Sequence, residues 1–296
     1  MKTPLAAVVI LAMLVLIRWR LEPRQAPYVA VNLNIAQQER VIDLSRSKVS
    51  LDQLADQLKS TRVLLIGEDH FYRETVSYFL QLLSKLHDRP LVVLLELPNS
   101  RQRLIDQYFS SGTENIFDEI WDVPDVALPY YEILRWSFQN RQMVRSVLAI
   151  DENRAHIRLM RFLLTDTRNQ TIADSIEKSY REFPEARIVF YGGQAHTLRK
   201  GRYLFDVANR EAAGARLART EIPPYAVKTL ILSGGRLTAI DPIFPGVGAM
   251  MIDSASNELP VGAFLSFPVF GIGQAREAID YFVHLGPLTR ELGWKP

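Results

Sequence analysis

Two short segments of the chain combine glycine with histidine, Gly67-Glu68-Asp69-His70 and Gly193-Gln194-Ala195-His196. Each follows a run of mostly apolar residues, which predicts that each histidine lies on a turn after a β-strand. Gly67 lets the chain leave the first strand sharply. The Glu68 and His70 pair suits either a metal site or an imidazole that a carboxylate orients as a general base. The alternative for either segment is an ordinary polar turn.

Two carboxylates end further apolar runs. Glu96 follows Leu91–Leu95, and Asp151 follows a run that ends at Ile150. A carboxylate at the rim of a sheet is costly unless it is paired, hydrogen-bonded or bound to a cation. Together, His70, His196 and Glu96 make a set of two histidines and one carboxylate. Such a set suits manganese, iron, cobalt or zinc and leaves positions open for water and substrate.

Arg168-Asn169-Gln170-Thr171-Ile172-Ala173 is predicted to open a helix. An arginine at that place could clamp a carboxylate, either that of a substrate or that of Glu96. The alternative is an exposed arginine near the start of a helix. Arg168 joins His70 and Glu68 as a catalytic candidate, and further candidates for the site are Asp151, Asn169, Gly67 and Gly193.

The elements that must position these residues follow an alternating pattern. Apolar strands are predicted over Arg62–Ile66, Leu91–Leu95, Val144–Ile150 and Ala186–Tyr191, with amphipathic helices between most of them. This pattern predicts an α/β fold with a mostly parallel sheet and helices on both faces. Ligands of such sheets bind outside the carboxyl ends of the strands. The candidate residues are therefore expected at one edge of the sheet.

The rest of the chain adds less regular elements. Residues 100–142 are rich in aromatic residues and are predicted to form a helical insertion, either a lid over the site or part of the core. A strand pair is predicted over Val227–Leu232 and Leu237–Ile240. An edge strand is expected over Gly262–Val269 and a closing helix over Gln274–Val283.

The N-terminal residues 1–21 have a different character. An apolar run from Leu5 to Ile17 is followed by Arg18-Trp19-Arg20, and no small-x-small cleavage site follows it. We interpret the segment as an uncleaved anchor that contacts the membrane through residues 5–21, with a cleaved signal as the alternative. A bacterial-type inner membrane is expected, and the side that the domain faces is left open. Residues 22–50 are predicted to be a polar linker and residues 51–296 the α/β domain.

Composition excludes several classes of site. The chain has 0 cysteines, which removes disulfides, thiolate metal sites, cysteine nucleophiles and lipid attachment through an N-terminal cysteine. Its formal net charge of +2 gives no argument for a nucleic-acid partner. The expected partner is a small-molecule or peptide substrate.

The ordered motifs resemble the superfamily that groups the Tiki/TraB proteins, the ChaN haem-binding proteins and the erythromycin esterases. The shared elements are a glycine-to-histidine turn, a glutamate that ends the second strand, an arginine-led helix start and a second Gly-x-x-His turn. In this chain they are Gly67–His70, Glu96, Arg168–Ala173 and Gly193–His196.

The branches of the superfamily imply different activities. Resemblance to Tiki-like members implies a metal-dependent peptidase that uses His70, His196 and Glu96. Resemblance to erythromycin esterases implies hydrolysis of a macrolide lactone, with His70 activating water. The first turn of those esterases is Gly-Glu-x-x-His, one residue longer than here. The compact form in this chain is closer to ChaN-like proteins, which bind haem as dimers, although the acylated cysteine of ChaN-like lipoproteins is missing.

These observations predict a hydrolase that activates water with the two histidines and a carboxylate. A divalent metal and a peptide, ester or lactone substrate are expected. The alternative is a ChaN-like haem-binding module without catalysis, with Tyr72 and Tyr191 as candidate ligands of the iron and a homodimer as the assembly. A third interpretation is a scaffold that keeps the fold for protein interaction.

Overall fold

The computed structural model describes residue 13 and residues 31–70, 72–114, 127–152, 167–200, 202–203, 211–244, 246–252, 259–266, 269–270 and 273–290. The predicted membrane segment 5–21 therefore lies outside the described residues, apart from residue 13. The middle of the predicted insertion, residues 115–126, also lies outside them. Within the described ranges, no helix combines the length and the apolar character that a membrane crossing needs.

The strands and helices of the described residues alternate along most of the chain. The strands are β1 (Val63–Glu68), β2 (Leu91–Pro98), β3 (Val144–Asp151), β4 (Arg187–Gly193), β5 (Arg202–Tyr203), β6 (Val227–Ser233), β7 (Gly248–Met251), β8 (Val269–Phe270) and β9 (Tyr281–His284). The α-helices are α1 (Ile35–Arg46), α2 (Leu51–Leu58), α3 (Arg73–Lys85), α4 (Gln102–Ser111), α5 (Ala127–Gln139), α6 (Arg168–Glu182), α7 (Gln194–Thr197), α8 (Ala213–Arg216) and α9 (Ala275–Ala278).

The main sheet has the strand order β3-β2-β4-β1-β6-β9-β7. Its neighbouring strands are parallel except for β7 and β9, which are antiparallel. This confirms the predicted α/β class with a mostly parallel sheet. β1 and β4 are direct neighbours, and their register pairs Gly67 with Gly192 and Glu68 with Gly193. The two Gly-x-x-His turns therefore leave the same edge of the sheet side by side.

Both faces of the sheet are covered. In β4, Val189 and Tyr191 pack on one face with residues of α2, α3, α4 and α5. Ile188 and Phe190 pack on the other face with residues of α6 and α8. This alternation follows from the period-2 geometry of a strand, and the run is continuously apolar because both faces are buried.

Several elements differ from the sequence-based expectation. The second half of the predicted linker, residues 22–50, is helical, because Asn34 and Gln37 form a capping box that starts α1 and Val41 is buried in the core. Residues 237–240 form turns instead of a strand, since the Asp241 carboxylate accepts a hydrogen bond from Thr238 N at 2.8 Å.

The C-terminal elements differ as well. The predicted helix over 274–283 is the single turn α9 followed by strand β9, and the predicted strand over 262–269 is a 3-10 turn with the short strand β8 close behind it. All four residues of β9 are buried. A short, wholly apolar run does not distinguish a helix from a central strand by its periodicity.

A buried arginine holds the amino-terminal edge of the sheet. Arg187 opens β4 and has no exposed surface. Its guanidinium donates hydrogen bonds to the carboxylate of Asp88 at 2.9 Å and to four backbone carbonyl oxygens. Those carbonyls belong to Leu58, Lys59, Thr61 and Leu86. One side chain thus satisfies the carboxyl ends of both α2 and α3.

We expect Arg187→Met to lower the free energy of unfolding by about 3–5 kcal/mol, since buried carbonyls and a carboxylate lose their donor. Urea titration followed by circular dichroism measures this loss. Arg89→Met is the matched control, because Arg89 contacts the same Asp88 carboxylate at 3.4 Å from a more exposed position. Its loss should stay below about 1 kcal/mol. Equal losses in the two variants would contradict this role.

Candidate active site

The carboxylate of Glu96 lies at the centre of the site. Its Oε1 accepts hydrogen bonds from Arg168 Nη2 and from His196 Nε2, the latter at 3.2 Å. Its Oε2 accepts the backbone N–H of Gly193 at 2.6 Å. The register of β2 against β3 shifts between Leu95 and Pro98, an irregularity of the strand that includes Glu96 and Leu97. Irregularities of this kind redirect a side chain at a strand end.

The charges around Glu96 determine its protonation. Burial alone would raise the pKa of Glu96, but the charges of His196 and Arg168 outweigh it and hold the pKa well below its usual range. The hydrogen bond from His196 and the nearby His70 act in the same direction. Glu96 is therefore an anion throughout the neutral range and a poor acceptor of protons.

His70 is the ring that solvent reaches. Its Nδ1 lies 2.6 Å from Glu68 Oε1, its Nε2 lies 4.0 Å from Glu96 Oε2, and its side chain is 36% exposed. The contact with Glu68 is a hydrogen bond from Nδ1–H, which leaves Nε2 directed toward Glu96. Burial lowers the pKa of His70, but the charge and hydrogen bond of Glu68, with Glu96 adding to them, raise it to about 10.

Arg168 connects two strand ends. Its Nε and Nη2 donate to the two carboxylate oxygens of Asp151 at 2.7 and 2.5 Å, and Nη2 also donates to Glu96. Burial opposes the charged form, but the carboxylates of Glu96 and Asp151 raise the pKa of Arg168 above its ordinary value. The arginine-led helix start therefore places a permanent cation between the ends of β2 and β3, with 24% of its side chain exposed.

His196 is held more tightly than His70. Its Nδ1 lies 2.6 Å from Asn169 Oδ1, and its Nε2 faces Glu96 Oε1. The Asn169 side chain comes from the start of α6, next to Arg168, and Asn169 is buried. Both ring nitrogens of His196 thus face acceptor oxygens, which positions this imidazole as a fixed hydrogen-bond donor to Glu96.

Glycine is required where the second turn passes the charged groups. A Cβ on Gly192 would lie 2.7 Å from Glu96 Oε2, and one on Gly193 would lie 3.0 Å from His70 Nε2. The backbone approaches this closely because neither residue carries a side chain. Gly67 of the first turn is equally confined, with its hypothetical Cβ 2.5 Å from Thr197 Oγ1.

The predicted metal ligands, His70, His196 and Glu96, do lie together, but the arrangement does not fit a metal ion. Across the described ranges, no group of three or more histidine, cysteine, aspartate or glutamate side chains could hold one. Both oxygens of Glu96 already accept hydrogen bonds, and the Arg168 guanidinium supplies the positive charge that a metal would bring. An ion bound to Glu96 Oε1 would have to displace that guanidinium.

The two predicted haem ligands, Tyr191 and Tyr72, differ in their exposure to solvent. Tyr191 is fully buried, with its hydroxyl 3.2 Å from Thr75 Oγ1 and its ring 4.5 Å from that of Phe79. It is therefore a core residue and does not present its hydroxyl to a ligand. Tyr72 is partly exposed just before α3.

The sequence did not single out some residues near the site. Tyr130 of α5 is buried, and burial followed by the charges of Glu96 and Glu68 raises its pKa well above the usual value. The aromatic-rich composition of residues 100–142 was the signal for it. Asp69 and Gln194, the inner residues of the two turns, also form contacts that neither motif indicated by itself.

The fold and the site together define an α/β protein with a histidine–carboxylate centre at the carboxyl edge of its sheet. No protein-family model and no curated protein matches the chain. Among solved structures, a succinoglycan biosynthesis protein matches with a TM-score of 0.65 and 9% identity over 88% of this chain and 100% of its own. A protein from Bacillus cereus matches with a TM-score of 0.61 and 11% identity over 89% and 100%.

An erythromycin esterase mutant in its open conformation matches with a TM-score of 0.56 and 10% identity, over 84% of this chain and 97% of its own. The predicted resemblance is thus confirmed at the level of the fold. A ChaN structure from Campylobacter jejuni, described by its haem binding, matches with a TM-score of only 0.45, which is too low to argue from.

Proposed function

We propose that the protein is a metal-independent hydrolase in which His70 activates water. The observation that supports this is the gap of 4.0 Å between His70 Nε2 and Glu96 Oε2, with Nδ1 of the same ring held by Glu68. Once His70 has lost its proton, which its pKa of about 10 places in the alkaline range, one water oxygen at about 2.8 Å from each atom would bridge this gap and donate one hydrogen to each acceptor. Its lone pairs would then face away from the carboxylate, toward a bound substrate.

The reaction that follows from this placement is acyl transfer to water. Neutral His70 takes a proton from the water as its oxygen bonds to the carbonyl carbon, and the carbonyl electron pair moves onto oxygen. The positive charge of Arg168 stabilises that developing oxyanion. The tetrahedral intermediate then collapses, the bond to the leaving oxygen breaks, and that oxygen takes the proton from His70.

Esters and lactones fit this site better than peptides. An alkoxide is a better leaving group than an amide nitrogen. Peptidases commonly overcome this difference with a metal ion that polarises the carbonyl group of the peptide bond. Since the ligand set here does not fit a metal, the peptidase interpretation loses its main support. We therefore infer an ester or a lactone as the substrate class.

Hydrolysis of 4-nitrophenyl acetate and of δ-valerolactone tests the proposal, with and without EDTA. We expect turnover that EDTA leaves unchanged. Loss of turnover with EDTA, restored by a divalent metal, would contradict the metal-independent mechanism. The haem-binding alternative is tested by titrating the same protein with hemin, where a Soret band without any hydrolysis would favour that alternative.

We also propose membrane attachment through residues 5–21, on the strength of the apolar run and the Arg18-Trp19-Arg20 flank. The full chain and a chain without residues 1–21 are expressed in a bacterium and fractionated. The full chain is expected in the inner-membrane fraction and the truncated one in the soluble fraction. Finding both chains in the soluble fraction would contradict the proposed membrane attachment.

The predicted homodimer is tested separately, by measuring the molecular mass of the truncated chain in solution.

Gly193→Ala is expected to lower kcat about tenfold with little change in stability. The new Cβ would lie 3.0 Å from His70 Nε2 and 3.4 Å from Glu96 Oε2, so the ring must move out of the gap that holds water. Steady-state kinetics with 4-nitrophenyl acetate measures the effect. Gly273→Ala is the control, because the nearest atom that its Cβ would meet among the described residues is Glu277 Oε2, at 3.8 Å. An unchanged kcat in Gly193→Ala would contradict the assigned geometry.

A further inference from the structure

The inner residues of the two Gly-x-x-His turns are bonded to each other. Asp69 directly precedes His70, and Gln194 directly follows Gly193. The Gln194 side-chain amide Nε2 donates to Asp69 Oδ2 at 2.9 Å. One hydrogen bond therefore joins the turn that carries His70 to the turn that carries Gly193 and His196.

The Gln194 side chain is fully engaged in this contact region. Its Nε2 also donates to the carbonyl oxygen of Leu232 in β6 at 3.3 Å, and its Oε1 accepts the backbone N–H of Ser266 at 3.3 Å. The Ser266 hydroxyl donates in turn to Asp69 Oδ1. Gln194 is buried, with 2% of its surface exposed. Asp69, Gln194 and Ser266 thus form a closed ring of three hydrogen bonds, which we name the inter-turn bridge.

The backbone leaves little room between the two turns. A Cβ on Gly67 would lie 2.8 Å from Gln194 Cα, so the backbones of the two turns are in direct contact next to the inter-turn bridge. The bridge and this contact together set how far the first turn stands from the second. The gap between His70 Nε2 and Glu96 Oε2 depends on that spacing, because His70 belongs to the first turn and the second turn anchors Glu96 through Gly193 N.

We propose that Asp69, Gln194 and Ser266 are positioning residues that hold the two turns at the spacing which hydrolysis requires. None of the three takes part in the proton transfers, and the inference rests on the proposed hydrolase function for its kinetic consequences. A bridge that only stabilised the fold would change the free energy of unfolding without a selective effect on kcat.

The kinetic test uses Gln194→Leu, which removes all amide contacts at similar volume. We expect kcat for 4-nitrophenyl acetate to fall about 10–100-fold with KM within about twofold, because a sub-ångström displacement of the base is costly. Gln194→Glu places a second carboxylate against that of Asp69 and removes the donor, whereas the double variant with Asp69→Asn restores one donor–acceptor pair between the turns. Recovery of kcat in the double variant, to within about fivefold of wild type, is the expected coupling.

A second readout needs no substrate. In Asp69→Ala, which removes the acceptor of Gln194 Nε2, the NMR signal of the Gly193 amide proton should move upfield, because the hydrogen bond from Gly193 N to Glu96 on the opposite turn weakens. In Gln194→Leu, the imidazole nitrogen shifts of His70 should change. If the wild type hydrolyses no ester, the proposed function fails, and these cross-turn shifts alone decide on the bridge. Shifts confined to the substituted turn, or a kcat that falls only in proportion to the folded fraction, would overturn the inference.

Discussion

His70→Gln is expected to reduce kcat for ester hydrolysis by about 10²–10⁴-fold, the usual contribution of a general base. Glutamine can still donate a hydrogen bond toward Glu68, but it cannot accept a proton from water, so the comparison is made near pH 10, where wild-type His70 becomes neutral. The loss should appear in kcat and not in KM. His70 acts on the attacking water in the transition state, and it is not expected to contribute to binding the substrate in the ground state. Steady-state kinetics on a folded variant, verified by circular dichroism, measures this.

His87→Gln is the matched control for that substitution. His87 is an exposed histidine outside the site, with its Nδ1 3.3 Å from the carbonyl oxygen of Ser84. Its replacement should leave kcat within about twofold, as expected for a surface substitution. A His70→Gln enzyme that retains most of the wild-type kcat would remove His70 from the mechanism and leave the fold without an assigned base.

Glu96→Ala is expected to lower the free energy of unfolding by about 3–5 kcal/mol, because it leaves buried positive and donor groups without their acceptor. Arg168, His196 and the Gly193 N–H all lose a hydrogen bond that the Glu96 carboxylate accepts. Glu96→Gln keeps one acceptor oxygen and should lose less, about 1–3 kcal/mol. Urea unfolding at pH 7 measures both losses.

The contribution of Glu96 to the free energy of unfolding should depend on pH. Its pKa is lower in the folded protein than in the unfolded chain, so its contribution is present above the unfolded value and is lost as the pH falls through the folded value. The wild type should therefore lose stability in acid more steeply than Glu96→Gln. Glu182→Gln, which removes a surface carboxylate 3.7 Å from Lys178, is the control. Parallel stability curves for wild type and Glu96→Gln would contradict the assigned charge network.

The sequence predicts those parts of the sheet and the site that depend only on where strands end. A parallel sheet gathers its carboxyl ends at one edge, so apolar runs followed by Gly67, Glu96, Asp151 and Gly192 were enough to predict that the candidate residues lie at one edge. The predicted metal is not supported by a group of ligands among the described residues, because residue types alone do not show which atoms are already bonded. Arg168 was expected to clamp a carboxylate, and the structure shows that its guanidinium bonds two of them, Glu96 and Asp151.

Other elements depend on contacts that are distant in sequence. The sequence predicts a helix where β9 lies, because residues 281–283 are a short apolar run whose secondary structure is decided by pairing with β6, about fifty positions earlier. The hydrogen bond between Asp69 and Gln194 joins residues 125 positions apart. No local pattern marks either contact, since both arise only once β1, β4, β6 and β9 are aligned.

The pH profile of kcat for 4-nitrophenyl acetate, compared between wild type and Glu68→Gln, tests the role of His70 most directly. The Glu68 carboxylate stabilises the imidazolium and raises the pKa of His70 to about 10, so kcat of the wild type should climb through the alkaline range and level off only near that pH. Without the carboxylate charge, the inflection should move down by more than one unit, toward the ordinary histidine value of about 6.5. An inflection at the same pH in both enzymes would contradict the account, because the titrating base would then not be the ring that Glu68 holds.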